Sequence, residues 1–180
     1  FGINWMSDRY EHEKYKRGLV KPKDFVPNAP VREYEARTGK SVNWRYTEAV
    51  TAIKNQGQCG SCWAFSTTGS LEGAYQIANG KLLSFSEQEL VDCAGSFGNQ
   101  GCNGGLMDNG FKYIKSKGDA LESKYPYTGR TGSCSQSKTT PAAVHVTGYT
   151  DVPQKNEAQL MAAVAKQPVS VAIEADQSGF

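Results

Sequence analysis

The stretch from Gln56 to Ser66 reads Gln-Gly-Gln-Cys-Gly-Ser-Cys-Trp-Ala-Phe-Ser. Gly57 and Gly60 favour a turn, and Ser61 is a candidate N-cap. From Cys62 onward apolar residues recur at helical spacing, so this thiol falls in the first turn of a predicted helix. There the helix dipole and free backbone N–H groups favour thiolate over thiol. A thiolate is nucleophilic near neutral pH, which makes Cys62 a candidate catalytic residue.

Cys59 and Cys62 also form a Cys-x-x-Cys pair, which is typical of redox disulfides and of half of a zinc site. The sequence has no second Cys-x-x-Cys and no His-x-x-x-His to complete a zinc site. A redox pair is expected in a thioredoxin-like βαβ setting, whereas Trp-Ala-Phe-Ser follows this pair. Both alternatives stay open from these four residues alone, but the flanking residues favour a nucleophile. We therefore predict no metal and no cofactor.

The composition is that of a globular protein, with 38% hydrophobic residues in a chain of 180. Twenty basic and 18 acidic side chains leave a formal charge of +2, which gives no basis for a nucleic-acid or membrane-surface partner. No apolar run approaches the ~20 residues that cross a bilayer. We therefore predict neither a nucleic-acid partner nor a membrane partner.

The cysteine count is odd, at five. In an oxidising compartment it predicts two disulfides and one free thiol, and the free thiol is then the candidate reactive group. A reduced cytosolic protein with five buried thiols is the alternative that the count leaves open.

Two helices are predicted in the first half of the chain. The pattern from Cys62 to Asn79 is helical, and Gly80 lies where a C-terminal stop is expected. Ser86 and Glu89 have the spacing of a capping box, which predicts a short helix through Val91.

The second half begins with helices and ends with a strand. Helices are predicted at about 106–117 and from Asn156 through 166, separated by a loop over 123–138. Pro168 ends the last helix, and residues 169–175 alternate like a strand. His145 also lies in a predicted strand. Because helices come first and strands late, the order indicates an α+β chain in two lobes.

Cys59-Gly60-Ser61-Cys62-Trp63 matches the sequence around the nucleophile of papain-like cysteine proteases. Gly101-Cys102-Asn103-Gly104-Gly105 and Ser41-Val42-Asn43-Trp44-Arg45 are similar to two more segments of that family. On these motifs the chain resembles a papain-like cysteine protease of the cathepsin L branch, a cysteine endopeptidase made as a proenzyme. The resemblance implies a two-lobed fold with a mainly helical left lobe over 38–150, including an N-terminal strand, and the start of a β-rich right lobe over 151–180.

Residues 1–37, called the leader below, differ in character from the rest of the chain. Gly2-Ile3-Asn4-Trp5-Met6-Ser7-Asp8 resembles the Gly-x-Asn-x-Phe-x-Asp pattern of the family's propeptides, with Met6 in place of phenylalanine. The resemblance implies the remnant of an inhibitory propeptide that lies along the active cleft and is cleaved near Arg37 to Ser41. A flexible segment without a role is the alternative.

The resemblance also implies roles for individual residues. Cys62 would attack the peptide carbonyl and form a thioester acyl-enzyme, and the Gln56 amide, with the Cys62 N–H, would form the oxyanion hole. Without the motif, Gln56 would be interpreted as an ordinary turn residue. The residues implied in substrate binding are Gly60, Trp63, Gly104, Gly105, Leu106, Met107 and Ala172. The last three would form a pocket for an apolar P2 residue, and composition alone would interpret them as core residues.

Position in the family's motifs implies the disulfides Cys59–Cys102 and Cys93–Cys134, which leave Cys62 free. The resemblance further implies protein or peptide substrates, the chain's own propeptide as an intramolecular inhibitor, and a monomer. It implies a lysosome, another acidic vesicle or secretion, with a signal peptide upstream of Phe1.

The catalytic base is the missing part of this prediction. The family uses a histidine oriented by an asparagine, about 130 to 150 residues after the cysteine. Only 118 residues follow Cys62 here, and the two histidines are His12 and His145. We therefore expect the base beyond Phe180 and no peptide hydrolysis by these 180 residues alone. The alternative is a non-catalytic truncated protein or pseudo-protease that acts by binding or inhibition.

Overall fold

The structure is a computed structural model that describes residues 19–20 and 41–173. The predictions made for the Gly2–Asp8 pattern, for His12, for cleavage near Arg37 and for residues 174–180 lie outside the described residues.

Helices make up the regular structure of the described ranges. They are α1 (Cys62–Asn79), α2 (Glu87–Cys93), α3 (Met107–Lys117), α4 (Gln136–Thr139) and α5 (Glu157–Val164). Short 3-10 helices span Trp44–Thr47, Ala94–Phe97 and Gly101–Asn103. Within 19–20 and 41–173 the only β pairings are isolated bridges, Leu19 with Gly105, Phe85 with Leu121 and Asp119 with Val144.

Helix α1 has the predicted bounds, and its end forms as expected. Gly80 takes a left-handed conformation with φ 68°, and its N–H donates to the carbonyl of Gln76 over 2.7 Å. The predicted side-chain cap at the start is wrong, because the hydroxyl of Ser61 makes no capping hydrogen bond. That hydroxyl lies 2.6 Å from the hydroxyl of Tyr127 instead. Helix α1 therefore begins in a loop that other segments hold in place.

Helix α2 shows half of the predicted capping box. The Ser86 hydroxyl accepts from the N–H of Glu89 over 2.9 Å. The Glu89 carboxylate does not return this bond, and accepts from the hydroxyl of Tyr113 and the N–H of Ala120, each over 2.8 Å. The carboxylate therefore joins α2 to α3 and to the segment that follows α3.

The core lies between α1, α2 and α3. Its buried residues are Cys59, Trp63, Ala64, Leu71, Phe85, Leu90, Val91, Ala94, Tyr113 and Ile114. Gly73 lets a later segment reach α1, since a Cβ there would lie 2.5 Å from Cγ of Pro168. The described chain is thus the helical left lobe of the predicted fold, and in these ranges it lacks the strands of a β-rich lobe.

Buried carboxyl groups lie beside this core. Lys54 donates to Glu72 over 2.7 Å and to Glu87 over 2.6 Å. Burial raises the pKa of Asp119 well above its usual range, and the neighbouring Glu89 adds to the rise. Burial also raises the pKa of Glu122 to about 7. The lobe therefore holds carboxyl groups that keep their protons at mildly acidic pH.

Three strand predictions fail in the described residues. Trp44–Thr47 is a 3-10 helix, because the Asn43 side chain accepts from the N–H of Arg45 and begins a helical turn. His145 is exposed and lies next to a single bridge at Val144, not in a strand. Residues 169–173 have no neighbouring strand, and Ser170 instead donates its hydroxyl to the carbonyl of Ser66 over 2.7 Å. Alternation sets which face is buried, but a strand also needs an edge to pair with.

The boundaries of the later helices differ from the predicted ones by one or two residues. Helix α3 begins at Met107, and α5 ends at Val164 rather than 166. The Asn156 side chain accepts from the N–H of Gln159 over 3.1 Å, as its predicted cap requires. The predicted loop over 123–138 is irregular until α4 begins at Gln136. No helix among the described residues is long and apolar enough to cross a membrane.

Candidate active site

A disulfide joins the start of α1 to the glycine-rich segment Gly101–Gly105, called the glycine wall below. Cys59 and Cys102 form this bridge, with Cα atoms 4.6 Å apart. The N–H of Gly60 also donates to the carbonyl of Cys102 over 2.9 Å. Together they fix the loop before Cys62 against the wall. The second bridge, Cys93–Cys134, lies away from this loop and links the end of α2 to the segment before α4.

Cys62 is the free thiol among the five cysteines, all of which lie in the described ranges, and it is half-buried as the first residue of α1. Burial raises the pKa of its thiol, and the backbone N–H groups of Trp63 and Cys62 oppose this rise only in part. The N–H groups at the helix start favour thiolate as expected, but in the described residues desolvation of the thiol outweighs them. A positively charged group beside the sulfur would lower the pKa of the thiol and favour the thiolate.

His145 does not supply that cation. It lines a cavity of about 330 Å³ together with Phe97, Tyr113 and the Cys93–Cys134 bridge, and Cys62 is not part of that lining. In the described residues His145 therefore lines a cavity to which Cys62 does not contribute. Within 19–20 and 41–173, no group of three or more His, Cys, Asp or Glu side chains could hold a metal ion.

Gln56 is held at both its backbone and its side chain. Its amide Nε2 donates to the carbonyl of Cys59 over 2.9 Å, and its own carbonyl accepts from the hydroxyl of Tyr127 over 2.8 Å. An amide nitrogen carries two N–H groups. The hydrogen bond to Cys59 uses one of them, which leaves the second able to donate to another acceptor.

The glycine wall owes its shape to close packing from behind. A Cβ on Gly105 would lie 2.4 Å from Oδ1 of Asn99 and 2.9 Å from Cδ2 of Trp63. The Asn99 Oδ1 accepts from the N–H of Leu106 over 2.9 Å, and the Trp63 indole donates to the carbonyl of Gly101 over 3.1 Å. The side chain of Trp63 is fully buried. Trp63 can therefore act on a substrate only through the wall that it supports.

The predicted pocket residues differ in exposure. Leu106 and Met107 are half-buried beside the wall, and Met107 packs against the core. Ala172 is exposed, as are its neighbours Val171 and Ile173. Gly60, Gly104 and Gly105 are buried.

The leader reaches the wall at one point in the described residues. Val20 donates its N–H to the carbonyl of Gly105 over 3.0 Å, and Leu19 bridges Gly105 in the parallel direction. The main-chain acceptor that a bound peptide would need at Gly105 is therefore already paired.

Sequence reasoning missed several residues that shape the site. Asn99 packs behind Gly105, and Thr131 accepts from the N–H of Cys102 over 2.8 Å. Tyr127 binds both Gln56 and Ser61. The one signal for these contacts is the Tyr-Pro-Tyr segment at 125–127, where aromatic residues stand in an otherwise polar loop.

Comparison with known proteins gives a consistent result. Residues 38–180 match the sequence model of a protein family that is described as 'Papain family cysteine protease'. A thiol protease, SEN102, from Hemerocallis sp. is 46% identical over 180 residues, which is the whole of this chain and 49% of that protein. Mouse procathepsin L is 46% identical over 167 residues, 92% of this chain and 47% of that protein.

A solved structure agrees with these relatives. The digestive procathepsin L 3 of Tenebrio molitor larval midgut superposes with a TM-score of 0.79 at 37% identity, covering 92% of this chain and 53% of that one. The chain spans about half the length of the curated relatives it matches.

Proposed function

The chain belongs to the papain family of cysteine proteases, and on that premise we propose that it is part of a cysteine endopeptidase that is made as a proenzyme. The observation that carries the proposal is the position of Cys62. It is a free thiol in the first turn of α1, and the Cys59–Cys102 bridge ties the loop before it to the glycine wall.

Peptide hydrolysis would proceed in two steps at this thiol. The Cys62 sulfur attacks the carbonyl carbon, a C–S bond forms, and the C–N bond breaks as the amine leaves with a proton from the catalytic base. Water, giving a proton to the base, then attacks the thioester carbon; a C–O bond forms, the C–S bond breaks, and the acid and the Cys62 thiolate are released. During both steps the Gln56 amide and the Cys62 N–H donate to the oxyanion, and one such donor is typically worth about 100- to 1000-fold in rate.

The base and its orienting partner are proposed to be a histidine and an asparagine beyond Phe180. The chain spans about half the length of the relatives it matches, which supports this proposal, and an imidazolium beside the sulfur would offset the burial that raises the pKa of Cys62. The described residues would then provide the nucleophile, the oxyanion donor and one wall of the cleft.

The substrate is proposed to run antiparallel along the glycine wall, with its main chain on Gly105 and an apolar P2 side chain between Leu106, Met107 and Ala172. Residues 1–37 would act as the inhibitory propeptide. The parallel contact of Val20 with Gly105 supports this role, because it occupies the same acceptor in the opposite chain direction. The lobe boundaries proposed are 38–150 and 151–180.

The setting is proposed to be an acidic vesicle, such as a lysosome or vacuole, or the cell exterior. Two disulfides suit an oxidising compartment, and a carboxyl group such as Glu122, whose pKa is raised to about 7 and which therefore keeps its proton at mildly acidic pH, suits an acidic one. The partners would be peptide or protein substrates of a monomeric enzyme, with no nucleic-acid or membrane partner.

One observation favours a second candidate, a non-catalytic binding protein or pseudo-protease. Burial raises the pKa of Cys62, so the described residues by themselves leave the sulfur protonated at neutral pH. Such a protein would bind peptides or proteases through the glycine wall without cleaving them.

The test compares three forms of the protein on a peptide amide with an apolar P2 residue. The full-length protein without the leader should hydrolyse it, Cys62→Ser should abolish the hydrolysis, and the 180-residue chain should be inactive. A folded full-length protein that binds the peptide without cleaving it would establish the second candidate. Steady, Cys62-dependent hydrolysis by the 180-residue chain would overturn the placement of the base beyond Phe180.

A further inference from the structure

The hydroxyl of Tyr127 joins Gln56 and Ser61, the first and last residues of the loop before Cys62, called the active-site loop below. It donates to the carbonyl of Gln56 over 2.8 Å and lies 2.6 Å from the hydroxyl of Ser61. Gln56 supplies the side-chain oxyanion donor, and Ser61 immediately precedes the nucleophile. The Tyr127 hydroxyl, from a loop 66 residues after Ser61, therefore contacts both the residue proposed as oxyanion donor and the residue next to the proposed nucleophile.

The direction of these two hydrogen bonds follows from the chemistry of the groups. A carbonyl oxygen accepts only, so the single proton of the Tyr127 hydroxyl points to Gln56. The Ser61 hydroxyl then donates to the oxygen of Tyr127 at 2.6 Å, which is much closer than its other acceptor, the carbonyl of Cys59 at 3.5 Å. The result is a directed chain from Ser61 through Tyr127 to Gln56, and a hydroxyl is needed in the middle because it must accept and donate at once.

Tyr127 is fixed in place by contacts of both its ring and its backbone. Its ring packs edge-on against Phe65 of α1, with centroids 4.9 Å apart and an angle of 76°. Its backbone N–H donates to Oε1 of Glu122 over 2.8 Å. Burial raises the pKa of its phenol, so the hydroxyl keeps its proton at neutral and acidic pH.

We propose that Tyr127 is a positioning residue, which sets the distance and angle between the Gln56 oxyanion donor and the Cys62 nucleophile through the Ser61–Tyr127–Gln56 hydrogen-bond chain. The loop from Gln56 to Ser61 carries two glycines, and its disulfide fixes Cys59 but not the backbone of Gln56, which the Tyr127 hydroxyl ties to Ser61. This proposal rests on the proposed function, since it concerns how the same site holds its transition state.

The expected effect is on the chemical step rather than on substrate binding. In the described residues the Tyr127 hydroxyl bonds Gln56 and Ser61 and its ring packs on Phe65, outside the glycine wall, so its loss should lower kcat and leave KM unchanged. A misplaced catalytic group can cost up to about 100-fold in rate. Because Gln56 keeps its second anchor on Cys59, we expect a loss of about 10-fold.

The test is a kinetic double-mutant cycle in the full-length protein without the leader, with a peptide amide as substrate. Tyr127→Phe keeps the ring against Phe65 and removes the hydroxyl. If Tyr127 acts through Gln56, the kcat loss should shrink to less than about 3-fold in a Gln56→Ala background. A purely structural loss would give the same factor in both backgrounds, and that result would overturn the proposal.

Tyr125→Phe is the matched control. This variant removes a buried hydroxyl from the same segment, one that donates to Asp92 over 2.7 Å, and its ring lies away from the active-site loop. It should lower the melting temperature without changing kcat. Equal kcat for Tyr127→Phe and Tyr125→Phe would contradict the proposal, as would a rise in KM with kcat unchanged.

Ser61→Ala provides a second approach if Tyr127→Phe does not fold. It removes the donor at the other end of the chain and should reproduce the same fall in kcat at constant KM. Unchanged kcat in this variant would overturn the proposal. An inactive but folded wild-type protein would instead contradict the proposed function, so the two failures are distinguishable.

Discussion

Val20 donates its backbone N–H to the carbonyl oxygen of Gly105 over 3.0 Å, and Leu19 makes a parallel bridge to the same residue. A main-chain contact of this kind does not depend on the side chain of Val20. It also occupies an acceptor that a peptide substrate would need. Under the proposed function, the leader would therefore compete with a substrate for the wall while running in the opposite chain direction.

The first prediction concerns this hydrogen bond. A peptide of residues 1–37 should inhibit the full-length, leader-free protein, and Val20→Pro, which lacks the N–H, should raise its inhibition constant. The loss of one hydrogen bond corresponds to about 3- to 10-fold. Val20→Ala keeps the N–H and is the matched control. Equal inhibition constants for Val20→Pro and Val20→Ala would show that the main-chain bond contributes nothing.

The second prediction concerns the thiol. In the 180-residue chain, Cys62 should react with a small alkylating reagent with an apparent pKa above the ordinary thiol value of about 8.5, because burial raises it. Mass spectrometry of the product against pH gives the profile, and Cys62→Ser shows that no other residue reacts. An apparent pKa below the ordinary value would mean that the helix start alone activates the sulfur.

The sequence located the candidate nucleophile, Cys62, but not its state of protonation. The Cys59–Trp63 motif and the helix pattern depend on local residue order, so α1 and the position of Cys62 could be predicted. The pKa of Cys62 depends on how much of the protein covers it, and no local pattern reports that.

The same limit explains the missed contacts. Ser61 is a good N-cap by residue type, yet a tyrosine 66 positions later takes its hydroxyl. Thr131 also acts on the glycine wall across 29 positions, and Asn99, seven positions before Leu106, lies in an irregular segment; spacing rules reach neither contact. The capping hydrogen bond from Ser86 to Glu89 could be predicted because both partners lie within one turn.

The third prediction concerns stability against pH. Burial raises the pKa of Glu122 to about 7, the Glu87 carboxyl adds to the rise, and the N–H of Tyr127 opposes it. An unfolded glutamate has a pKa of about 4.3. Between these values the folded chain binds more protons than the unfolded chain, so the stability is full at the acidic end and falls as the pH rises through about 7.

Urea unfolding of the 180-residue chain between about pH 5 and about pH 8 measures this dependence. Glu122→Gln is neutral throughout and should flatten the slope, whereas Glu48→Gln changes an exposed carboxyl and should leave it unchanged. Asp119, whose pKa is also raised, should contribute a residual slope of the same sign in Glu122→Gln. A wild-type stability that rises with pH over this range would contradict the assignment.

The fourth prediction compares two glycines. Gly105→Ala should destabilise the fold by about 1 to 3 kcal/mol, because the added Cβ would lie 2.4 Å from Asn99 and 2.9 Å from the Trp63 ring. Gly69→Ala, in the middle of α1, meets nothing within 4 Å and should stabilise it by up to about 1 kcal/mol. Thermal unfolding of both variants gives the comparison. Equal melting temperatures would show that the wall is not closely packed.

The central claim is that Cys62 is the nucleophile of a peptidase, and trapping the acyl-enzyme tests it most directly. The full-length, leader-free protein would be mixed with a peptide ester that has an apolar P2 residue, quenched in acid and mapped by mass spectrometry. We predict the acyl group as a thioester on Cys62, absent from Cys62→Ser. A folded wild-type protein that hydrolyses the ester but carries no acyl group on Cys62, or carries it on another residue, would contradict the claim.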